Sequence, residues 1–391
     1  MDIIVQKYGG TSVNSPELRD KIVENVIKAR EDGIATVLVV SAMGRKGEAY
    51  ATDTLQNLIP AHYKDSRFMD MLISCGEIIS TTVIATHLMD YGIEAISLTG
   101  GQAGILTDST YGSANIVKVD GTYLQELLEE GKVPIVAGFQ GQNEKGEITT
   151  LGRGGSDTSA VLLGITLKAK NVEIFTDVDG IMTADPKLVP NAKLIEEINY
   201  DDVFQLAQYG AKVIHPKAVD LAMQYNIPLK VINTSKYGES IGTLINNHPT
   251  NSAGLVAAVA HEYGKIQWSL STKTRDKEIF KLMASNNISI DMINIFIDQS
   301  VFITNDIHKE KLIKILEENK IDYKYVNHCT KITIIGSKIR GVPGIMAKIM
   351  ASLEGDISIL QTSDSHTTIS ILVPTDVANR AVNLLHGSFN L

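Results

Sequence analysis

Cysteine is nearly absent. Cys75 and Cys329 are the only two in 391 residues, too few for a disulfide framework and not spaced as a metal-ligand pair. A buried thiol is the plainer role for each. Basic residues are in the minority, 36 Lys+Arg against 45 Asp+Glu, for a formal net charge of −9. No Lys/Arg-rich block stands out, so nucleic acid is not an expected partner, because phosphate-backbone binding is driven by basic patches. No apolar run approaches the roughly 18–20 residues of a membrane-spanning helix, and Asp2 stands where a secretory leader would carry positive charge. These absences point to a cytoplasmic location without membrane contact. Charged residues make up 21% and hydrophobic residues 44% of the chain, too little charge for a disordered chain and enough apolar matter for a sizeable core. At roughly 150 residues per domain, the length suggests two or three globular units.

Up to about residue 245, short β-branched runs alternate with helix-length amphipathic stretches. Ile3 to Val5, Ala35 to Val40, Ala95 to Leu98, Val133 to Ala137, Val172 to Phe175 and Leu229 to Ile232 are candidate strands, several apolar on both faces as in a covered parallel sheet. Pro16 to Glu31, Asp120 to Gly131 and Thr158 to Lys168 are candidate helices, the second closing on a cap-like glycine. The alternation predicts an α/β domain with helices on both faces of a mainly parallel sheet. Near residue 245 the texture changes to the polar stretch Asn246 to Ser252, typical of a linker.

Beyond it the chain repeats itself. Lys281-Leu282-Met283-Ala284-Ser285 recurs as Lys348-Ile349-Met350-Ala351-Ser352, and Ile288-Ser289-Ile290 as Ile357-Ser358-Ile359. Each copy reads strand, helix, strand, strand, helix, and then needs a final strand, a ferredoxin-like βαββαβ order. The first copy finds that strand in Lys324 to Cys329. The second reaches Leu391 just after its last helix, so the apolar run Leu255 to Ala260, before the first copy, is the candidate to complete its sheet. The first copy, 265–329, would then be inserted into the second, 254–262 plus 331–391.

Three glycine-rich turns carry candidate chemistry. Lys7-Tyr8-Gly9-Gly10-Thr11-Ser12 follows the first strand. Its glycines allow close approach of a ligand to backbone N–H groups, and Lys7 adds a compact positive charge. A phosphate turn and an ordinary strand-to-helix turn fit this motif equally. Gly152-Arg153-Gly154-Gly155-Ser156-Asp157-Thr158 opens a helix, with Ser156 or Asp157 suited to the N-cap and Arg153 able to grip a carboxylate or phosphate with two parallel hydrogen bonds. Thr176-Asp177-Val178-Asp179-Gly180, continuing through Met182 to Asp185-Pro186-Lys187, could orient Mg²⁺-nucleotide or a ribose hydroxyl. A solvated Asx-turn loop is its plainer reading, and the acids do not match an EF-hand. Ser41 ends a strand where open α/β folds place ligands. Glu77 sits at a helix start and offers a carboxylate to an ammonium group or to the helix dipole. Lys212 could reach a phosphate, whereas His215 before Pro216 reads as a packed turn residue. No histidines stand at metal-ligand spacing, so no protein metal site is expected.

Together these motifs, in this order and over nearly the whole chain, resemble aspartokinase, and the duplicated tail is similar to the paired ACT domains of that family. Ser41-Ala42-Met43-Gly44-Arg45-Lys46-Gly47 is most similar to the diaminopimelate-responsive type of spore-forming Gram-positive bacteria. The resemblance implies a three-layer α/β/α amino-acid-kinase domain, carbamate kinase-like, over 1–245, and two ACT domains within 246–391. It implies transfer of phosphate from ATP to the side-chain carboxylate of L-aspartate, with Mg²⁺ held mainly through the nucleotide phosphates. Lys7 and Asp157 would be catalytic. Thr52 (or Thr54 two residues on), Glu77, Arg153, Gly154, Gly155 and Ser156 would bind aspartate. Lys7, Tyr8, Gly9, Gly10, Ser41, Thr176, Asp177, Met182, Asp185, Lys187 and Lys212 would face the nucleotide.

In the tail, the helix start around Thr274 to Lys277 with Asp291 and Asn294, and the turn Gly341-Val342-Pro343-Gly344 with Gln361 and Asp364, would receive an amino-acid effector: lysine, threonine or diaminopimelate. A homodimer or higher homo-oligomer through the ACT domains is implied. Another amino-acid or carbamate kinase of the same fold, or a catalytically silent amino-acid-binding subunit, are the competing readings.

Overall fold

The structure, a computed structural model, describes the chain apart from residues 211–212, 237–240, 248–254, 272–275, 337–338, 340, 354 and 356, and apart from the side chains of 276–278. It divides into two compact units. The first comprises 1–181, 194–207 and 212–252, and the second 182–193, 208–211 and 253–391. A single cut at residue 245 therefore does not describe the contacts. Two short segments from the N-terminal half, 182–193 and 208–211, group with the second unit.

The first unit is built on an eight-stranded sheet. Its spatial order is Glu197–Asn199, Thr243–Asn246, Leu229–Asn233, Asn171–Thr176, Asp2–Tyr8, Ile34–Val40, Val133–Ala137 and Ala95–Leu98. Only the Leu229–Asn233 pairing with Thr243–Asn246 is antiparallel. Val5 lies opposite Val37 on one side and Val172 on the other, and Ile3, Ile4 and Val5 are buried in succession, so the central strand is covered on both faces, which suits its apolar character. The helix Pro16–Glu31 has Ser15 as N-cap accepting from the Leu18 N–H and Pro16 in its first turn, the asymmetry that favours helix starts. It packs with the helix Cys75–Asp90 on one sheet face, through Ile22, Val26, Ile84 and Leu88 against Leu38 and Val40. The helix Gly155–Thr166 contacts the central strands Asp2–Tyr8 and Asn171–Thr176. A Cβ at Gly164 would lie 2.5 Å from the Val172 side chain, so glycine is what lets this helix approach. A four-stranded sheet of Ile116–Val119, Ile105–Thr107, Gln140–Gln142 and Ile148–Thr150 completes the unit.

Two sequence expectations need correction here. The N-cap of Gly155–Thr166 is Gly154, at φ +72°, with Asp157 inside the first turn; neither Ser156 nor Asp157 caps. Glycine is required there twice over, by the left-handed φ and because a Cβ at Gly154 would fall 2.0 Å from the His215 ring. The span Arg67–Asp90, two helices meeting at Ser74, is also long and apolar enough by composition to cross a membrane. Its most apolar window is 56% buried within the protein, as for a helix in a protein core.

The second unit is a six-stranded antiparallel sheet, in the order Asp291–Ile295, Gln299–Asn305, Ala258–Ser271, Tyr323–Ile335, Thr368–Pro374 and Gln361–Asp364. The final strand expected at Lys324 to Cys329 continues without a break to Ile335. The chain passes a bulge, with His328 at φ +54°, without leaving the sheet, so one strand serves both repeats. The first half of Ala258–Ser271 pairs Ala258 to Glu262 with Ile335 to Lys331, and its second half pairs Lys265 to Leu270 with Cys329 to Tyr323, with bulges between. One core gathers Trp268, Ile279, Phe302 and Leu316. Another gathers Ile334, Ile349, Ile371 and Leu385.

Candidate active site

The loops that follow the parallel strands meet at one end of the first unit's sheet, the side where open α/β sheets bind ligands. A cleft of 880 Å³ opens there, and Lys7, Gly10, Ser41, Thr52, Glu77 and the whole run Gly152 to Asp157 line it. Lys7 and Arg153, 146 positions apart in sequence, thus share one cavity. Thr52 begins the short helix Thr52–Gln56 and faces the cleft, whereas Thr54 is not among its lining residues.

The Lys7 ammonium sits 2.8 Å from Asp157 Oδ1, and both side chains are largely buried. Asp157 Oδ2 accepts the His215 N–H at 3.1 Å, which fixes the carboxylate from the far side. The His215 ring accepts from the Lys217 N–H, so His215 is a packed turn residue, and burial lowers its pKa. Gly10 has no room for a side chain, because a Cβ would lie 2.3 Å from the Ala42 carbonyl oxygen. That packing makes the turn beside Lys7 a narrow cationic cradle. A Cβ at Gly9 would lie 3.8 Å from the Lys7 ammonium.

Glu77 is 2% exposed. Its Oε1 accepts the Ala42 N–H at 3.2 Å, while Oε2 is buried with no hydrogen-bond partner. Burial drives its pKa up to about 8 against the pull of those backbone donors. A buried oxygen that lacks a donor is a place for a ligand cation. Gly76 allows this, since a Cβ there would strike Ala42 Cβ at 2.7 Å. Arg153 is exposed to the cleft and forms no hydrogen bond or ion pair with the described residues.

The nucleotide candidates divide. Tyr8 is corrected: its side chain is fully buried, stacks on Phe175 at 4.4 Å and donates to Gln6, so its ring belongs to the core and does not face a nucleotide. Ser41 lines the cleft and donates its N–H to the Tyr8 carbonyl. Thr176 ends its strand, and Asp177 pairs with Arg45 at 2.9 Å in a largely exposed contact. Met182, Asp185 and Lys187 belong to the 182–193 segment of the second unit. There, Asp185 accepts the Lys187 N–H at 2.9 Å as a local turn, the plainer reading of that loop. Lys212 lies outside the described residues.

The effector candidates also divide. Asp291 pairs with the buried Lys331, whose ammonium lies 4.2 Å from the Tyr209 ring centre. Gln361 donates to the Met292 carbonyl and, at 2.7 Å, to Asn294. Asp364 is elsewhere, in a separate cavity of 310 Å³ with Gly341, Val342, Thr362 and Ser363. Residues 274–275 of the first copy's expected helix start lie outside the described residues.

Sequence reasoning missed Asp70, Thr150, Gly112 and Phe139, all of which line the cleft. Asp70 gave no signal in the sequence, because its burial shows only in the folded helix. In Arg67–Ile73 the apolar Phe68 and Met71 are exposed while Asp70 is fully buried, which inverts the usual helix pattern. Phe139 holds φ +69°, a strained backbone of the kind found at binding sites.

Two family models match the chain: the amino acid kinase family over residues 2–233 and the ACT domain over 324–387. The sequence is 42% identical to Aspartokinase 1 of Bacillus subtilis (strain 168), with both chains wholly covered. It is 38% identical to the aspartokinase of Geobacillus stearothermophilus, covering 100% of this chain and 98% of that one. The solved structure of E. coli aspartokinase III in complex with aspartate and ADP matches with a TM-score of 0.81 at 25% identity, covering 100% of each chain. The same enzyme in complex with lysine and aspartate gives 0.80 at 25% identity, covering 99% of each.

Proposed function

The chain belongs to the aspartokinases, within the amino acid kinase family, and we propose that its cleft transfers the γ-phosphoryl group of ATP to the side-chain carboxylate of L-aspartate. The products are 4-phospho-L-aspartate and ADP. The observation that carries this reading is the sharing of one cavity by Lys7, Arg153 and the buried carboxylates of Glu77 and Asp157.

Aspartate brings two negative groups and one positive one, and the cleft offers a complement to each. Arg153 receives the α-carboxylate in a two-pronged hydrogen bond. The unpartnered oxygen of Glu77 receives the ammonium, with Thr52 and the Gly154 to Ser156 backbone bounding the substrate. The side-chain carboxylate is then already an ionised nucleophile, so no general base is needed. Catalysis reduces to alignment and to neutralising charge on the moving phosphoryl group. Lys7, held by Asp157 at 2.8 Å, supplies that charge, and the start of the helix Gly155–Thr166 adds its dipole.

The crowded Gly10 turn and the ammonium of Lys7 suit a polyphosphate. Ser41, Thr176, Asp177 and Lys212 are read as nucleotide contacts beside Gly9 and Gly10, and Mg²⁺ is carried mainly on the phosphates, where it offsets their charge. The tail is read as two interleaved ACT domains, 265–329 and 254–262 plus 331–391, supported by the pairing of 258–262 with 331–335. An amino-acid end product, lysine, threonine or diaminopimelate, binds them and inhibits the kinase. The enzyme acts in the cytoplasm as a homodimer or higher homo-oligomer.

Trapping the acyl phosphate with hydroxylamine tests the reaction. Aspartyl hydroxamate is expected with aspartate and ATP, and none with glutamate or acetylglutamate. Preference for either alternative acid, or no product from any of them, refutes the assignment.

A further inference from the structure

Asp70 is a fully buried carboxylate on the cleft wall. It has no ion-pair partner among the described residues, yet it accepts four hydrogen bonds from three donors. The Gly112 N–H reaches Oδ1 and Oδ2 at 3.0 and 3.1 Å, the Thr150 N–H reaches Oδ2 at 2.8 Å, and the Thr150 hydroxyl reaches Oδ1 at 2.8 Å. A buried charge without a counter-ion is an expensive way to hold two segments together.

Its helix is tied to the 140–150 hairpin at a second point as well. Arg67, at the start of the same helix, already pairs with Glu147 of the 140–150 hairpin at 2.8 Å, and Tyr111 reinforces Glu147. Asp70 acts instead at the hairpin's exit. Thr150 is the last residue of the strand Ile148–Thr150, and its carbonyl accepts the Ala114 N–H at 2.8 Å. Leu151 then donates to the Phe139 carbonyl at 2.8 Å, and two residues later comes Arg153. The chain between the carboxylate and the guanidinium is therefore short and tied at each step.

We propose that Asp70 is a positioning residue for substrate binding: by fixing Thr150 and the Gly112 turn it sets where Arg153 enters the cleft. The inference rests on the aspartate kinase reading above. Replacing Asp70 by Asn turns one acceptor oxygen into a donor facing N–H groups, so two of the four bonds are lost while the shape is kept.

Steady-state kinetics on the full chain test it, with D70N, R153A and the double variant. D70N is expected to lower kcat/KM for aspartate about 10- to 100-fold, mostly through KM, with the KM for ATP within about twofold of wild type. The double variant is expected to be no worse than R153A, because both changes remove the same contact. If the two losses multiply, or if D70N raises both KM values equally, Asp70 is structural and the proposal fails. If D70N does not fold, Thr150→Val removes the hydroxyl bond alone and must show the same selective, smaller rise in aspartate KM; an unchanged or unselective KM overturns the proposal. A wild-type chain inert toward aspartate overturns the reaction assignment itself, and this inference with it.

Discussion

The cleft and the tail treat polar groups in opposite ways. In the cleft, charge is left open for a ligand: the buried Glu77 keeps an unpartnered oxygen, and the exposed Arg153 has no partner among the described residues. In the tail, the polar groups singled out for a ligand satisfy one another. Lys331 lies between Asp291 and Tyr209, and Gln361 bonds Met292, Asn294 and Gln267. An open arrangement stores desolvation energy that a substrate of matching charge releases. A closed one is stable without ligand, so an effector must displace bonds already made, which suits a switch between two states. Five substitutions test this contrast.

The largest effect is expected at Lys7. Lys7→Ala removes the cation facing the phosphoryl group and leaves Asp157 without its partner. It should cost about 2.7–4 kcal/mol of transition-state stabilisation, or about 10²–10³ in kcat, while circular dichroism stays that of the wild type. Turnover near the wild-type rate in a folded variant would remove the cleft from the mechanism.

Next comes the pH dependence of aspartate binding. Glu77 must be ionised to hold an ammonium, and burial raises its pKa to about 8, so below that pH substrate must displace a proton. The kcat/KM for aspartate should climb with pH and level off above about 8, and Glu77→Gln should be both weak and flat. The sign for stability is opposite. A carboxylate whose folded pKa is raised favours the proton-bound folded state, so its contribution is present below the ordinary glutamate range and is lost as pH rises to about 8. Glu77→Gln should therefore raise the melting temperature most at alkaline pH, and a pH-independent difference would contradict the shift.

In the tail, Asp291→Ala leaves the Lys331 ammonium, among the described residues, with only the Tyr209 ring. Loss of a charged hydrogen bond predicts about 1.5–3 kcal/mol less stability in urea unfolding. Kinase activity without effector should stay within about twofold of wild type, while inhibition by the effective end product weakens. Unchanged inhibition would mean that the ligand uses only the Asp364 cavity. The smallest effect separates two neighbours. Thr52→Val should raise the aspartate KM about 3- to 10-fold, the worth of one hydrogen bond, and Thr54→Val should leave it within about twofold, since Thr54 does not line the cleft.

Much of this was legible in the chain itself. The glycine pairs after Lys7 and before Asp157 marked the cleft because close backbone approach needs residues without a Cβ, a local requirement. The repeat around Met283 and Met350 marked the doubled tail, because equivalent helices need equivalent apolar faces. Asp70 was not read, since its role depends on Gly112 and Thr150, 42 and 80 positions away. Tyr8 was misread for the same reason: its motif is the turn, but its ring belongs to the core with Phe175.

The amino-acid order alone determined the alternation of strands and helices, the positions of the tight turns and the duplication, since each follows from spacing and from the intrinsic freedom of glycine and proline. Tertiary structure alone decided which carboxylates became acids of raised pKa, that one strand from Tyr323 to Ile335 would serve both repeats, and which polar groups would be left open. Those outcomes depend on desolvation and on pairing between distant segments, and both exist only once the chain has closed around them.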